Sequence, residues 1–271
     1  MDKMKKGLCV QNLVFGYEVK ETIIQDVSLQ VAPGKITALI GANGCGKSTL
    51  FQLFTGRLKP ASGQVFYEGK NIKYIKQREF AKSVAVVHQY NTAPADITVR
   101  KLVEMGRTPY QNLLAYSHKE SDKDAVERAL MLTNTKEFEN RMMSQLSGGQ
   151  KQRVWMAMAL AQEPEILLLD EITTYLDIHY QIELLSLIQK LNREQGITVL
   201  MVLHDINQAM EYADEIVVMK KGQIIAAGNV ENVITEEILD EAFLVETEIV
   251  SVGGKKYCLF SGKNDLQVND L

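Results

Sequence analysis

The sequence predicts an α/β protein: a mixed sheet with flanking helices, an antiparallel β part on its N-terminal side, and an inserted helical subdomain. Three observations predict this. Apolar runs at 36–40, 84–87, 166–169 and 199–203 have strand length and lack alternation, as parallel strands buried on both faces do. The first of them enters a glycine-rich turn that is followed at once by a helical pattern. Between residues 91 and 161 the texture changes to apolar residues at helical spacing with polar faces.

The chain has 271 residues, of which 46% are hydrophobic, enough to bury a substantial core and to exclude disorder. A formal net charge of -4 with intermingled signs offers no basic footprint for nucleic acid. Lys3, Lys5 and Lys6 form a small basic cluster that reads as a solvated terminus. No apolar run reaches the roughly 18 residues that span a bilayer, and no signal-peptide stretch is seen, so a cytoplasmic location is expected. Cys9, Cys45 and Cys258 fit no zinc spacing and cannot pair completely, which suits a reducing compartment.

In chain order, residues 8–17 and 27–31 alternate as half-buried strands on either side of a loop, and Pro33-Gly34 turns the chain. Tyr17 is a candidate platform for a purine ring, because stacking tolerates any base; alone it reads as a strand aromatic. The strand at 36–40 then feeds Gly41-Ala42-Asn43-Gly44-Cys45-Gly46-Lys47-Ser48-Thr49, a G-x-x-x-x-G-K-[ST] phosphate loop in its strand-turn-helix context. Gly41, Gly44 and Gly46 let successive backbone N–H groups point at one anion, and the helix opening at Lys47 adds its positive dipole end. Lys47 supplies a point charge to the β and γ phosphates, and the Ser48 hydroxyl is placed to ligate Mg²⁺. Near a helix N-terminus the Cys45 thiolate should be favoured, so that alkylation blocks nucleotide binding; the alternative is a small residue that fits the loop.

Residues 59–63 carry turn chemistry and 64–67 read as an antiparallel strand. The run at 84–87 ends in His88-Gln89, at the carboxyl edge where open α/β sheets place ligand contacts, which makes Gln89 a candidate for the metal or the attacking water. Helical spacing at 99–105, 124–132 and 150–161 predicts three helices in the lobe. Leu146-Ser147-Gly148-Gly149-Gln150 precedes the last, a second phosphate-type element with a serine at the N-cap and glycines exposing N–H groups. Asp170 and Glu171 end the run at 166–169; Asp170 suits Mg²⁺ through its outer coordination sphere, and Glu171 suits polarising a water for in-line attack. His204, ending the run at 199–203, falls at the same edge, in position for a γ-phosphate contact. A hairpin at 215–227, a helix at 236–243 and a hairpin across Gly253-Gly254 follow, without recognisable chemistry.

Taken together these elements resemble an ATP-binding cassette (ABC) transporter ATPase, over nearly the whole chain up to about Gly228. The resemblance makes Tyr17 the adenine-stacking residue, 41–49 the Walker A motif, Gln89 the Q-loop, and 146–150 the signature motif. It makes 166–170 Walker B, Glu171 the catalytic base, Leu176-Asp177 the D-loop and His204 the switch histidine. It implies one cassette over 1–271, with a P-loop NTPase core at 8–90 and 162–228, a helical subdomain at 91–161 and a C-terminal extension at 229–271. It also implies ATP and Mg²⁺ as cofactors, the metal near Ser48, Gln89 and Asp170. The expected assembly is a head-to-tail homodimer in which Ser147, Gly148, Gly149 and Gln150 of one chain close over the other's γ-phosphate. Two transmembrane permease subunits would hold the pair at the cytoplasmic face of the membrane, served indirectly by a periplasmic or surface-anchored substrate-binding protein.

Val103-Glu104-Met105-Gly106-Arg107-Thr108-Pro109, Thr173-Thr174-Tyr175-Leu176-Asp177-Ile178 and His204-Asp205-Ile206-Asn207-Gln208-Ala209 look like the ATPases of importers for iron-siderophore, haem and cobalamin, with iron chelate the favoured cargo. The alternative is a soluble ABC ATPase of iron-sulfur cluster assembly. One departure from the family is Ile172, where proline usually follows the catalytic glutamate; rigidity, not chemistry, is what proline would contribute.

Overall fold

The computed structural model describes residues 7–18, 21–111 and 120–261. Lys3, Lys5 and Lys6 lie outside the described residues. β1 (Leu8–Phe15) and β2 (Ile24–Gln30) pair antiparallel, Cys9 opposite Gln30 and Leu13 opposite Val27. β1 stops at Phe15, two residues short of the expected end, because the chain turns back at Gly16 and the Ile23 N–H bonds the Phe15 carbonyl at 2.8 Å. β3 (Ile36–Gly41) leaves for a second sheet, and α1 (Lys47–Phe54) follows it. β4 (Ser62–Tyr67) returns to the other side of β1, and a short β5 (Lys70–Asn71) completes a four-stranded antiparallel sheet, order β2-β1-β4-β5.

α2 (Gln77–Ser83) leads into β6 (Val84–Val87), the edge of the main sheet. The lobe then supplies α3 (Val99–Glu104), α4 (Glu120–Leu132) and α5 (Gly148–Ala161), three helices as the spacing predicted. α3 tightens into a 3₁₀ turn over Met105–Tyr110, where Pro109 cannot donate an N–H. β7 (Ile166–Asp170), α6 (Ile178–Gln195), β8 (Thr198–Val202), α7 (Ile206–Tyr212) and β9 (Glu215–Lys220) rebuild the sheet. β10 (Gln223–Asn229), α8 (Val230–Val233), α9 (Glu236–Phe243), β11 (Glu246–Val252) and β12 (Lys255–Ser261) close the described chain.

The main sheet has the order β10-β9-β3-β8-β7-β6, parallel except for β10. Every residue of β3, β7 and β8 is buried, as a sheet covered on both faces requires. α1 fills the space between the two sheets, burying Leu50, Phe51, Leu53 and Phe54 against Leu8, Leu13, Ile24, Leu168 and Leu200. On the other face, a second apolar core runs unbroken from Val126 and Phe138 of the lobe through Val154 and Ala157 of α5 to Leu167 and Val199 of the sheet.

The lobe is pinned by Arg107, which is buried in the 3₁₀ turn. Its Nε donates to Asp122 Oδ1 at 2.9 Å, its Nη1 donates to the Ala161 carbonyl at 2.7 Å and to Glu163 at 2.8 Å, and the guanidinium lies 4.0 Å from the centre of the Tyr110 ring. One side chain thereby joins the turn after α3 to α4 and to the end of α5.

Candidate functional site

Because β3, β6, β7 and β8 run parallel, the residues that follow them all emerge at one sheet edge. Gly41 opens the phosphate loop there with φ +151°, and a Cβ at this position would lie 2.3 Å from the Met219 carbonyl, so only glycine fits. Gly46 stands in the N-cap position of α1. Asn43 and Gly44 are exposed, Thr49 is buried inside α1, and Ser48 is exposed at the start of the helix. Lys47 is buried, and its Nζ donates to the Gly41 carbonyl at 2.8 Å and the Ala42 carbonyl at 3.2 Å, so its charge is held within the loop itself.

The expectation of a favoured Cys45 thiolate is corrected. Cys45 is buried in the core beneath the loop, and that burial pushes its thiol up, outweighing the Lys47 charge and backbone N–H groups that pull the other way. Its backbone is equally engaged, bonding the Ala42 carbonyl at 3.2 Å and accepting from the Gly222 N–H at 2.9 Å. Here a small apolar-like residue closes the floor of the loop.

Three strands converge on Glu171. Its Oε2 accepts from Gln89 Nε2 at 2.6 Å and lies 2.8 Å from His204 Nε2. Glu171 also holds φ +50°, a left-handed conformation that costs a non-glycine residue about 1 to 3 kcal/mol and persists only where the surroundings impose it. The surroundings here include the next residue: Ile172 is 2% exposed and sits in the main core. Side-chain packing therefore anchors the loop at the position where proline is usual.

Asp170 ends β7 buried, and its Oδ1 has no hydrogen-bond partner. Burial, and then the neighbouring Glu171 charge, push its carboxyl up to about 6, while His204 and Lys47 pull it down. An orphaned buried carboxylate oxygen beside a phosphate loop fits a hard cation such as Mg²⁺. Among the described residues no cluster of three or more His, Cys, Asp and Glu side chains could hold a metal ion.

The second glycine element is built differently. Ser147 caps α5: its Oγ accepts from the Gln150 N–H at 3.3 Å while Gln150 Oε1 accepts from the Ser147 N–H at 3.0 Å. Gln150 thus engages its side chain in the cap, and Ser147 and Gly148 face outward. Gly149 is buried against α6, where an added Cβ would lie 2.8 Å from the Tyr180 ring. Asp177 occupies the N-cap of α6 with no capping bond from its side chain. Among the described residues, no hydrogen bond or ion pair joins Ser147, Gly148, Gly149 or Asp177 to the cluster around Glu171. Tyr17 is exposed, edge-on to Phe15 at 5.0 Å.

The structure therefore brings Lys47, Gln89, Asp170, Glu171 and His204 to one edge, while the glycine element of α5 is engaged in its own cap and against Tyr180. Sequence reasoning missed α2, α6 and α7, and with them a carboxamide pair, Gln181 and Gln208, joined at 2.5 Å between α6 and α7. It also missed Tyr90 and Tyr175, whose hydroxyls meet at 3.1 Å between the loops that follow Gln89 and Glu171. No spacing signal marks either pair, since each joins residues distant along the chain.

Comparison with known proteins identifies the family. The ABC transporter family profile matches residues 24–174. A ferric enterobactin transport ATP-binding protein of Escherichia coli (strain K12) is 41% identical over 240 residues, covering 89% of this chain and 88% of that protein. An iron(3+)-hydroxamate import ATP-binding protein of Bacillus subtilis (strain 168) is 42% identical over 245 residues, covering 90% of each. Among solved structures, a metal-chelate type ABC transporter in an inward-facing conformation matches with TM-score 0.80 and 30% identity over 94% of this chain and 96% of that one. A dimeric bacterial ABC transporter cassette matches with TM-score 0.72 and 28% identity, over 82% of this chain and 98% of that one. The chain belongs to the ABC transporter ATPase family. Within that family it has the P-loop NTPase fold of a nucleotide-binding cassette, and its activity is ATP binding and hydrolysis coupled to transport.

Proposed function

We propose that this chain powers uptake of an iron chelate of the siderophore class, working as a head-to-tail homodimer under two transmembrane permease subunits at the cytoplasmic face of the membrane. A periplasmic or surface-anchored binding protein hands cargo to that permease. The cargo class is supported by the relatives, which are named for enterobactin and iron-hydroxamate. None of the relatives compared is named for iron-sulfur cluster assembly, and that alternative is not favoured. No helix among the described residues is long and apolar enough to cross a membrane, which leaves the transmembrane path to other subunits.

The observation that carries the chemistry is the convergence of Gln89 and His204 on the Glu171 carboxylate beside the phosphate loop. In this reading Lys47 and the loop N–H groups bind the β and γ phosphates, Tyr17 stacks on adenine, and Ser48, Gln89 and Asp170 hold Mg²⁺. The cation, when bound, neutralises charge on the phosphate oxygens. Glu171 takes the proton of the attacking water, held in place for that step by Gln89 and His204. Ser147, Gly148 and Gly149 offer their donors to the γ-phosphate of the partner subunit, Gln150 sets their cap, and Asp177 faces the partner. Domain boundaries follow: core at 8–90 and 162–228, helical subdomain at 91–161, extension at 229–271. ATP favours the closed pair and hydrolysis reopens it, a two-state switch.

Glu171→Gln tests the core of this reading. Turnover should fall by about 100-fold or more, the scale of general-base catalysis, while titration calorimetry finds ATP affinity within about twofold of the parent. Light scattering should show the variant accumulating as a dimer with ATP. Turnover within a few-fold of the parent would remove Glu171 from the role. For cargo, vesicles holding the permease complex should take up radiolabelled ferric siderophore with ATP; failure with siderophore, haem and cobalamin alike would overturn the importer reading.

A further inference from the structure

We propose that α7 is a splint, and that Asn207 and Gln208 are positioning residues which hold His204 against Glu171 and tie both to the C-terminal extension. The inference rests on the roles just given to those two residues. α7 begins two residues after His204 and is seven residues long, too short to hold an orientation through its own backbone bonds. Ile206 and Ala209 bury one side of it. Asp205 caps its start through the Gln208 N–H at 3.0 Å, an exposed Glu211–Lys255 pair reaches β12, and two carboxamides supply the remaining side-chain ties.

Gln208 Nε2 donates to Gln181 Oε1 at 2.5 Å, and Gln181 Nε2 donates in turn to the Leu176 carbonyl at 2.8 Å. This chain of amides runs from α7 across α6 to the loop that leaves Glu171. Asn207 clamps a single residue of β12 at two points: Nδ2 donates to the Cys258 carbonyl at 3.1 Å, and Oδ1 accepts from the Cys258 N–H at 2.7 Å. A facing strand residue makes the same exchange of two bonds, so the side chain acts as a one-residue extension of the ribbon. The ribbon is seated at its other strand as well, where Thr247 bonds Asp240 of α9 through its N–H at 2.8 Å and its hydroxyl at 2.6 Å.

A lone two-stranded hairpin is marginal in water, so β11 and β12 depend on these anchors, and α7 in turn depends on the hairpin. Loss of the brace would shift His204 relative to the carboxylate it meets at 2.8 Å, while the phosphate loop, on α1 and β3, is not part of the network. Misplacement by about 1 Å in a catalytic constellation costs up to about 100-fold in rate. The extension, which carries no recognisable chemistry of its own, thereby sets turnover and leaves nucleotide affinity alone.

The test uses the full-length chain with Asn207→Leu, Gln208→Leu and Gln181→Leu, and Glu171→Gln as the reference. Below the melting midpoint of each, kcat should fall on the order of tenfold or more, with KM for ATP within about twofold. Hydrogen exchange should quicken at the amides of β12 and of His204 to Ile206 in Asn207→Leu. Gln181→Leu cuts the amide chain outside α7 and serves where a variant within it fails to fold. A lowered melting midpoint with kcat unchanged would mean plain packing and would overturn the splint, as would a rise in KM with kcat held. If Glu171→Gln itself turns over like the parent, the failure lies in the reading of Glu171 instead.

Discussion

Asp170→Asn separates what an unpaired carboxylate costs the fold from what it does for the nucleotide. In the folded protein this carboxyl rises from its ordinary 3.8 to about 6, chiefly through burial. A shift of about 2 units, at about 1.4 kcal/mol each, sets a ceiling of about 3 kcal/mol on the penalty for carrying the charge at neutral pH. The amide oxygen of asparagine keeps part of the orphaned-acceptor cost, so a gain of about 1 to 2 kcal/mol is expected, or a few degrees in melting midpoint for a chain of this size. The sign follows from the raised value. Between about pH 4 and 6 the folded protein keeps a proton that the unfolded chain has released, so parental stability falls as pH rises through that window. The variant lacks this slope: the gap should be near zero below about pH 4 and full above about pH 6. Denaturant unfolding at several pH values, with chelator and without nucleotide, measures it. A variant less stable than the parent at pH 7.5, or a gap indifferent to pH, would refute the reasoning. With ATP and Mg²⁺ present the order should reverse.

Three further outcomes follow from named contacts. Arg107→Leu leaves Asp122 buried without its counter-charge and should cost about 3 to 5 kcal/mol in denaturant unfolding, much of it recovered by adding Asp122→Leu; a loss under about 1 kcal/mol would contradict the clamp. Cys45 should react with thiol reagents at neutral pH at least about tenfold more slowly than an exposed cysteine, followed by peptide mass spectrometry, because burial raises its thiol; rapid labelling would restore the activated-thiolate view. Gly149→Ala drives a Cβ to within 2.8 Å of the Tyr180 ring and should cost about 1 to 3 kcal/mol, relieved by Tyr180→Leu; equal cost in both backgrounds would locate the strain elsewhere.

The parallel strands were legible because burial on both faces leaves an unbroken apolar run, and the residue after each run lands at the carboxyl edge with no further information needed. α6 was not, although Leu184, Leu185, Ile188 and Leu191 carry a helical stripe, because its first turn, from Ile178 to Gln181, buries nothing and the stripe begins late. The environment of Cys45 was misread for a related reason: a helix N-terminus is visible in the sequence, whereas the core that closes over the thiol is assembled from β1, β2 and β9. Gln89 and Glu171 were each placed at the edge, but their contact spans 82 residues and depends on β6 lying beside β7. The hairpin at Gly253-Gly254 was foreseen as a shape and gained a partner, Asn207, only from tertiary packing.

The parked ammonium of Lys47 has a consequence for discrimination among anions. With two carbonyl acceptors already in hand, that ammonium must trade settled partners for new ones when a ligand arrives, so a lone orthophosphate offers it little improvement. A polyphosphate tail, touching the glycine N–H groups and the ammonium at once, repays the exchange through several contacts made together. Contacts made together, rather than any one of them, are therefore what this arrangement of the ammonium and the loop favours.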